Sequence, residues 1–177
     1  LGLVPCFPTT NRREPVKNTL LTTLIAASLV APVLAVTPDE IKAKGEVRIG
    51  VFSDKPPFGY VDSKGESQGF DVEIGRYIAK DLLGDENKAK FVLVEAANRV
   101  EYLRAGKVDI ILANFTVTPE RAKAVDYAKP YMKVALGVVS PDKAVIKNID
   151  ELKDKTLLLN KGTTADRYFS KEHGDIK

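Results

Sequence analysis

The stretch Val108-Asp109-Ile110-Ile111-Leu112-Ala113-Asn114-Phe115-Thr116-Val117-Thr118-Pro119-Glu120-Arg121 constrains the fold more than any other part of the chain. Its apolar opening is short, β-branched and aliphatic, and reads as a buried strand. The strand runs into hydroxyl residues and a helix start. Thr118 suits the N-cap, and Pro119 suits the first helical position, where its missing N–H costs nothing. Arg121 then falls in the first turn, beside backbone N–H groups that lack intrahelical partners. Free amides plus a guanidinium form a receptor for a small carboxylate.

The same alternation recurs along the chain. Glu46 to Phe52 reads as a first strand, broken by Pro56, Pro57 and Gly59, and Asp62-Ser63-Lys64-Gly65 reads as a turn. From Phe70 the pattern is helical, with Phe70, Ile74, Tyr77, Ile78 and Leu82 on one face and Gly84 as its stop. Lys90 to Glu95 is a second strand, Asn98 to Ala105 a short helix stopped by Gly106, and Val108 to Ala113 the next strand. This βαβαβ order calls for a mainly parallel sheet with helices on both faces, an α/β fold. Ligands in such sheets bind beyond the carboxyl ends of the strands. Asp54, Arg99, Asn114 and Thr116 all follow a strand's end and converge on one edge.

Val134 to Val139 is another β-rich stretch, and after Ser140 the pattern restarts. A helix over Ile149 to Lys155, a strand over Thr156 to Asn160, the loop Lys161-Gly162-Thr163-Thr164 and a helix towards Lys171 are expected. The organisation expected is therefore an upstream extension and signal segment (1–35), a first α/β lobe (36–139) and part of a second (140–177). Two helix starts, one on each lobe, would grip one anion from both sides.

Composition narrows the function classes. Hydrophobic residues make up 44% and charged residues 29% of the 177, ordinary values for a globular protein. The formal charge of +3 falls close to neutral once Arg12, Arg13, Glu14 and Lys17 are set aside with the N-terminal segment. No basic stripe and no Trp are present, so a nucleic-acid surface is not expected. Lys17 precedes an uncharged apolar run from Leu20 to Leu34 that ends in Val33-Leu34-Ala35, the anatomy of a cleaved secretory signal. The run is about 15 residues, too short to span a bilayer comfortably. Cys6 is the only cysteine and lies upstream of it, so the exported chain would have no thiol, disulfide or zinc chemistry. With His173 the only histidine, neither a metal nor a nucleophile–histidine pair is supported, and no cofactor is expected.

Several landmarks together carry a family resemblance. They are Pro56-Pro57-Phe58-Gly59-Tyr60, Gln68-Gly69-Phe70-Asp71-Val72-Glu73, Gly106-Lys107-Val108-Asp109, Thr116 through Arg121, Asp126-Tyr127, Pro130-Tyr131 and Lys161-Gly162-Thr163-Thr164-Ala165. From about Ile41 to Ile176 the chain resembles the family 3 periplasmic solute-binding proteins of polar amino-acid ABC transporters. The resemblance implies the two-lobed type II periplasmic binding fold, closing on an amino acid, with the second lobe truncated at Lys177. It gives Arg121 the α-carboxylate, Thr116 a supporting N–H and hydroxyl, and the Asn114 carbonyl the ammonium group. Amides around Thr163 and Thr164 meet the carboxylate from the second lobe. Outside the resemblance, Asp54 is a candidate ligand contact because it follows a strand's end, and Phe58, with Tyr60, reads either as a core residue or as part of the cleft wall. Within the family the chain is most similar to receptors for cysteine, through Gly50 to Tyr60, Val94 to Glu101 and Leu157 to Thr164. No aromatic shelf stands near Ala96-Ala97, which suits a small polar side chain, whereas Arg99 would suit an acidic one.

The implied protein is a non-enzymatic periplasmic receptor, monomeric when complete, whose partners are an amino acid and a membrane ABC permease. Two alternatives share the fold: a periplasmic dehydratase and a ligand-sensing domain. The set of α-amino-acid contacts argues against the first, since such substrates need no ammonium site.

Overall fold

The computed structural model describes residues 36–177; the signal-like segment and Cys6 lie outside them. The first element is helix α1 (Pro38–Lys44), held by a capping box in which Thr37 Oγ1 accepts from the Glu40 amide and Glu40 accepts from the Thr37 amide. Gly45, at φ 73°, ends it. The sequence expectation contains no helix here, although Thr-x-x-Glu is the signature of one.

Strand β1 (Val47–Val51) follows, then a three-stranded antiparallel meander of β2 (Asp54–Lys55), β3 (Gly59–Val61) and β4 (Ser67–Gln68). The expected turn at Asp62 to Gly65 joins β3 to β4. The Asp62 carboxylate accepts from the Lys64 and Glu66 amides, and Gly65 takes φ 83°. Helix α2 (Phe70–Leu83), strand β5 (Ala89–Leu93), helix α3 (Arg99–Arg104) and strand β6 (Ile110–Ile111) complete the first half. β1 lies between β5 and β6 and pairs in parallel with both, as the βαβαβ pattern demands.

The core is the centre of that sheet with α2 laid on it. Val47, Ile49 and Val51 are fully buried, and Val72 and Ala79 of α2 join them. Each such aliphatic residue stabilises the fold by roughly 1.5–3 kcal/mol. Gly75 sets the closeness of approach: a Cβ there would stand 2.8 Å from the Phe91 ring and 3.0 Å from Ile49 Cδ1. Because the helix seats on Gly75, Tyr77 falls about 200° further round and out to solvent. Tyr77 and Phe70 are therefore exposed, not part of the buried stripe expected from the sequence, whereas Ile74, Ile78 and Leu82 do pack on the core.

Four other expectations differ. The helix expected from Pro119 is a single 3₁₀ turn, Arg121–Lys123, although Thr118 does cap it, its hydroxyl accepting from the Arg121 amide at 3.2 Å. The helix expected over Ile149 to Lys155 is likewise a 3₁₀ turn, Ile149–Leu152. Val134 to Val139 and Thr156 to Asn160 form no strands. A strand needs a neighbour to take its N–H and C=O groups in a ladder, and neither stretch pairs in one among the described residues; the Leu157 amide does donate to the Lys177 carbonyl at 2.8 Å, while Val139 and Leu158 are almost fully exposed. Helix α4 (Thr164–Glu172) forms as expected, with Thr163 as its N-cap.

At the amino edge of the sheet Asp109 is clamped. Arg48 donates from Nε and Nη2 to its two carboxylate oxygens at 3.0 and 2.7 Å, and the Arg48 amide adds a third bond at 2.9 Å. Burial works to raise the Asp109 pKa, but the bonds from Arg48 outweigh it and hold the carboxyl below its ordinary value. A depressed folded pKa means the clamp stabilises above the unfolded carboxyl pKa and is lost as pH falls through the folded one. Asp109→Ala should cost about 1.5–3 kcal/mol in urea unfolding at neutral pH. The gap between variant and wild type should shrink as the pH is lowered below the ordinary aspartate pKa.

Candidate functional site

The parallel sheet sends the carboxyl ends of β1, β5 and β6 to one edge, and the segments that leave them meet there. Phe52 to Asp54 follow β1, Arg99 opens α3 after β5, and Asn114 to Thr116 follow β6. The loop before α4 completes the rim. A cavity of about 850 Å³ lies among them. Its lining contains Asp54, Phe58, Arg99, Asn114, Thr116, Thr163 and Thr164, seven of the eight residues singled out from the sequence. Arg121, the eighth, is not in the lining. It stands one hydrogen bond away, its Nη1 donating to the Thr116 carbonyl at 2.9 Å.

Two buried arginines dominate the chemistry. Arg99 and Arg121 are each only 3% exposed. Arg99 donates from Nε to the Ala96 carbonyl at 3.1 Å and from Nη1 to the Ala113 and Asn114 carbonyls at 2.8 and 3.3 Å. Its Nη2 reaches the Gly162 carbonyl at 3.2 Å, and Arg121 Nη2 reaches the same oxygen at 2.9 Å. Neither guanidinium has an acidic partner among the described residues. Burial, then the neighbouring Arg121 charge, lowers the Arg99 pKa to about 10, and burial lowers that of Arg121 as well. Two cations held out of water without a counter-charge make a strongly anion-attracting spot.

One aromatic ring lies against both. The Arg99 and Arg121 guanidinium carbons lie 4.8 and 4.7 Å from the centroid of Phe115, which also stacks on Tyr127 at 5.5 Å. The negative face of the ring offsets part of the cost of crowding two positive groups. The backbone here is shaped for the purpose. Asn114 adopts φ 45°, unusual for any residue but glycine and tolerated best by Asn and Asp. Its carbonyl accepts from the Thr116 amide at 3.1 Å as well as from Arg99. Gly162 takes φ 78°, and a Cβ there would stand 2.8 Å from the Ala96 carbonyl oxygen, so only glycine lets the loop come this close.

Sequence reading missed Phe115 and Gly162 as functional positions, although both sit inside quoted motifs. The available signal was an aromatic residue in a loop between two chain-distant arginines, and a glycine just before a Thr-capped helix. Tyr131, in the Pro130-Tyr131 landmark, donates its hydroxyl to the buried Asp71 carboxylate at 2.8 Å. Among the described residues no cluster of His, Cys, Asp or Glu could hold a metal ion.

The parallel α/β sheet thus gathers at its carboxyl edge a cavity whose lining includes the buried Arg99. The chain belongs to the bacterial extracellular solute-binding proteins, family 3, whose profile it matches over residues 47–172. It is 67% identical to the solute receptor for L-cysteine of Neisseria gonorrhoeae, with a TM-score of 0.78 over 80% of this chain and 58% of that one. To the cysteine-binding protein of Campylobacter jejuni it is 65% identical, with a TM-score of 0.77 over 79% of this chain and 56% of the other. These neighbours assign it the type II periplasmic binding protein fold. It is also 38% identical over 127 residues to a glutamine-binding protein of an ABC transporter in Bacillus subtilis, 71% of this chain and 46% of that relative. The chain thus spans about half the length of the curated relatives it matches.

If the Phe115 ring buffers the paired cations, Phe115→Leu should lower stability by about 1–2 kcal/mol, the worth of a desolvated cation–π contact, in equilibrium urea unfolding at neutral pH.

Proposed function

We propose that this protein is an extracytoplasmic receptor that captures a small polar α-amino acid, L-cysteine first among them, and delivers it to a membrane ABC permease. The observation that carries the reading is the pair of buried guanidiniums with no acidic partner. A carboxylate is the group that best neutralises such a charge, because its two oxygens match the guanidinium fork.

In this reading Arg121 anchors the α-carboxylate, with Nε and further N–H groups not engaged by the protein. The Thr116 hydroxyl and the Thr164 amide at the start of α4 support the same group, whereas the Thr116 and Thr163 amides already donate to the Asn114 and Asn160 carbonyls. The Asn114 carbonyl takes the ammonium, while Phe58 and Asp54 bound the side-chain end. The cysteine receptors to which the chain is 65% and 67% identical, over 79% and 80% of its length, support that ligand over others. Lining residues Ala96 and Ala97 leave room only for a side chain that needs no aromatic shelf.

The division proposed is a first lobe to about residue 139 and a second from 140, joined so that Gly162 of the second meets Arg99 and Arg121 of the first. Export by a cleaved signal over residues 17–35 and a monomeric receptor complete the proposal, and the family's extracytoplasmic placement supports export. An acidic amino acid is the second reading, and the specific observation in its favour is Arg99 in the cavity lining.

On the intact receptor, Arg121→Ala should weaken amino-acid binding by about 3–5 kcal/mol, because it removes one partner of a buried charge pair. At about 1.4 kcal/mol per tenfold, calorimetry should register a loss of two to three and a half decades. A loss below tenfold would remove Arg121 from the site. In a thermal-shift panel of the twenty amino acids L-cysteine should stand out, since ligand at about 100 times Kd adds about 2.7 kcal/mol to stability.

A further inference from the structure

Arg99 and Arg121 share burial, a neighbouring ring and one carbonyl, but their hydrogen bonds differ in kind. Nearly the whole Arg99 fork is engaged by main-chain oxygens, and these come from three separate segments: Ala96 after β5, Ala113 and Asn114 after β6, and Gly162 before α4. Arg121 engages two carbonyls and keeps Nε and part of each terminal nitrogen for another group. The other charged residues of the cavity lining are Asp54, Lys55, Glu95 and Lys161, two of each sign, with Lys55 paired to Asp54 at 2.7 Å.

We propose that Arg99 is a positioning residue, welding the three segments around the Gly162 carbonyl, and that the site therefore takes an amino acid with an uncharged side chain. This rests on the amino-acid-receptor reading above and deepens it. A guanidinium whose donors already face lone pairs cannot form the bidentate pair that a second carboxylate would need. Bringing in aspartate or glutamate would break several of these bonds and leave carbonyls buried without donors. The Gly162 oxygen gives the weld a second consequence. It ties the loop before α4, whose Lys161 and Thr163 line the cavity, to both arginines. Loss of the weld should let a bound amino acid out sooner without slowing its entry.

The test is stopped-flow binding of L-cysteine and L-aspartate to the intact receptor, wild type and Arg99→Lys. The lysine keeps the charge and loses the planar fork. Wild type should prefer cysteine by about 100-fold or more, the scale of a rejected buried charge. In Arg99→Lys the cysteine off-rate should rise by about tenfold or more while the on-rate stays within about threefold, the usual pattern for a lost interface contact. Gly162→Ala keeps both arginines but pushes the carbonyl away, and its off-rate should rise in the same way; it decides the matter if the lysine variant does not fold. Aspartate binding within tenfold of cysteine in wild type, or variants that slow the on-rate and leave the off-rate alone, would overturn the proposal. Wild type that binds neither probe nor any of the twenty amino acids would instead overturn the receptor reading itself.

Discussion

Two guanidinium groups kept from water, with no carboxylate among the described residues to answer them, are the condition on which the rest of this structure is arranged. Burying an isolated cation is among the most unfavourable things a fold can do. Here the cost is offset by carbonyl oxygens and one aromatic face rather than by an acid. Every unusual backbone feature of the region serves that end. Asn114 turns through a left-handed conformation beside the Arg99 fork, and Gly162 approaches Ala96 more closely than any side chain would allow. Carbonyls are only partial charges, so the spot remains net positive and open to an anion.

The opposite edge of the same sheet shows what full neutralisation looks like. Arg48 and Asp109 meet there through matched bidentate bonds, and the aspartate gains a third from the Arg48 amide. That pair fastens β1 to the segment entering β6 and leaves no charge to spare. The two poles thus use the same residue type for different ends. One arginine completes its pairing within the fold and supports it. The arginines at the carboxyl edge bond to main-chain carbonyls and have no acidic partner among the described residues. Parallel strands make the contrast possible, because all their carboxyl ends, and the loops that leave them, fall on one side.

Elements governed by neighbouring residues were legible in the sequence. The central strand, the long helix stopped by Gly84, the short helix after Asn98 and the last helix behind its Thr163 cap all form where local chemistry indicates. The α1 capping box was equally local and was overlooked. What misled was strand propensity at Val134 to Val139 and Thr156 to Asn160. Valine and leucine favour extended backbone, but a strand exists only when another segment accepts its hydrogen bonds. The turn after Thr118 shows the same principle in a helix, since a good cap starts a turn and only packing prolongs it. For the site, seven of eight residues named from the chain share one cavity, because most lie within a few residues of a strand's carboxyl end or at a helix start, while Phe58 lies between β2 and β3.

Residue order by itself determined the α/β alternation, the edge on which a site must lie and the residue types gathered there, because these follow from periodicity, caps and the direction of parallel strands. Only the tertiary structure decided that Tyr77 faces solvent, that Phe115 lies against two cations, and that Arg99 spends its donors on main-chain oxygens. Those outcomes depend on distances between segments as much as 63 residues apart, such as Arg99 and Gly162. Hydrogen-bond pairing and burial are properties of such meetings, and no single stretch of chain contains them.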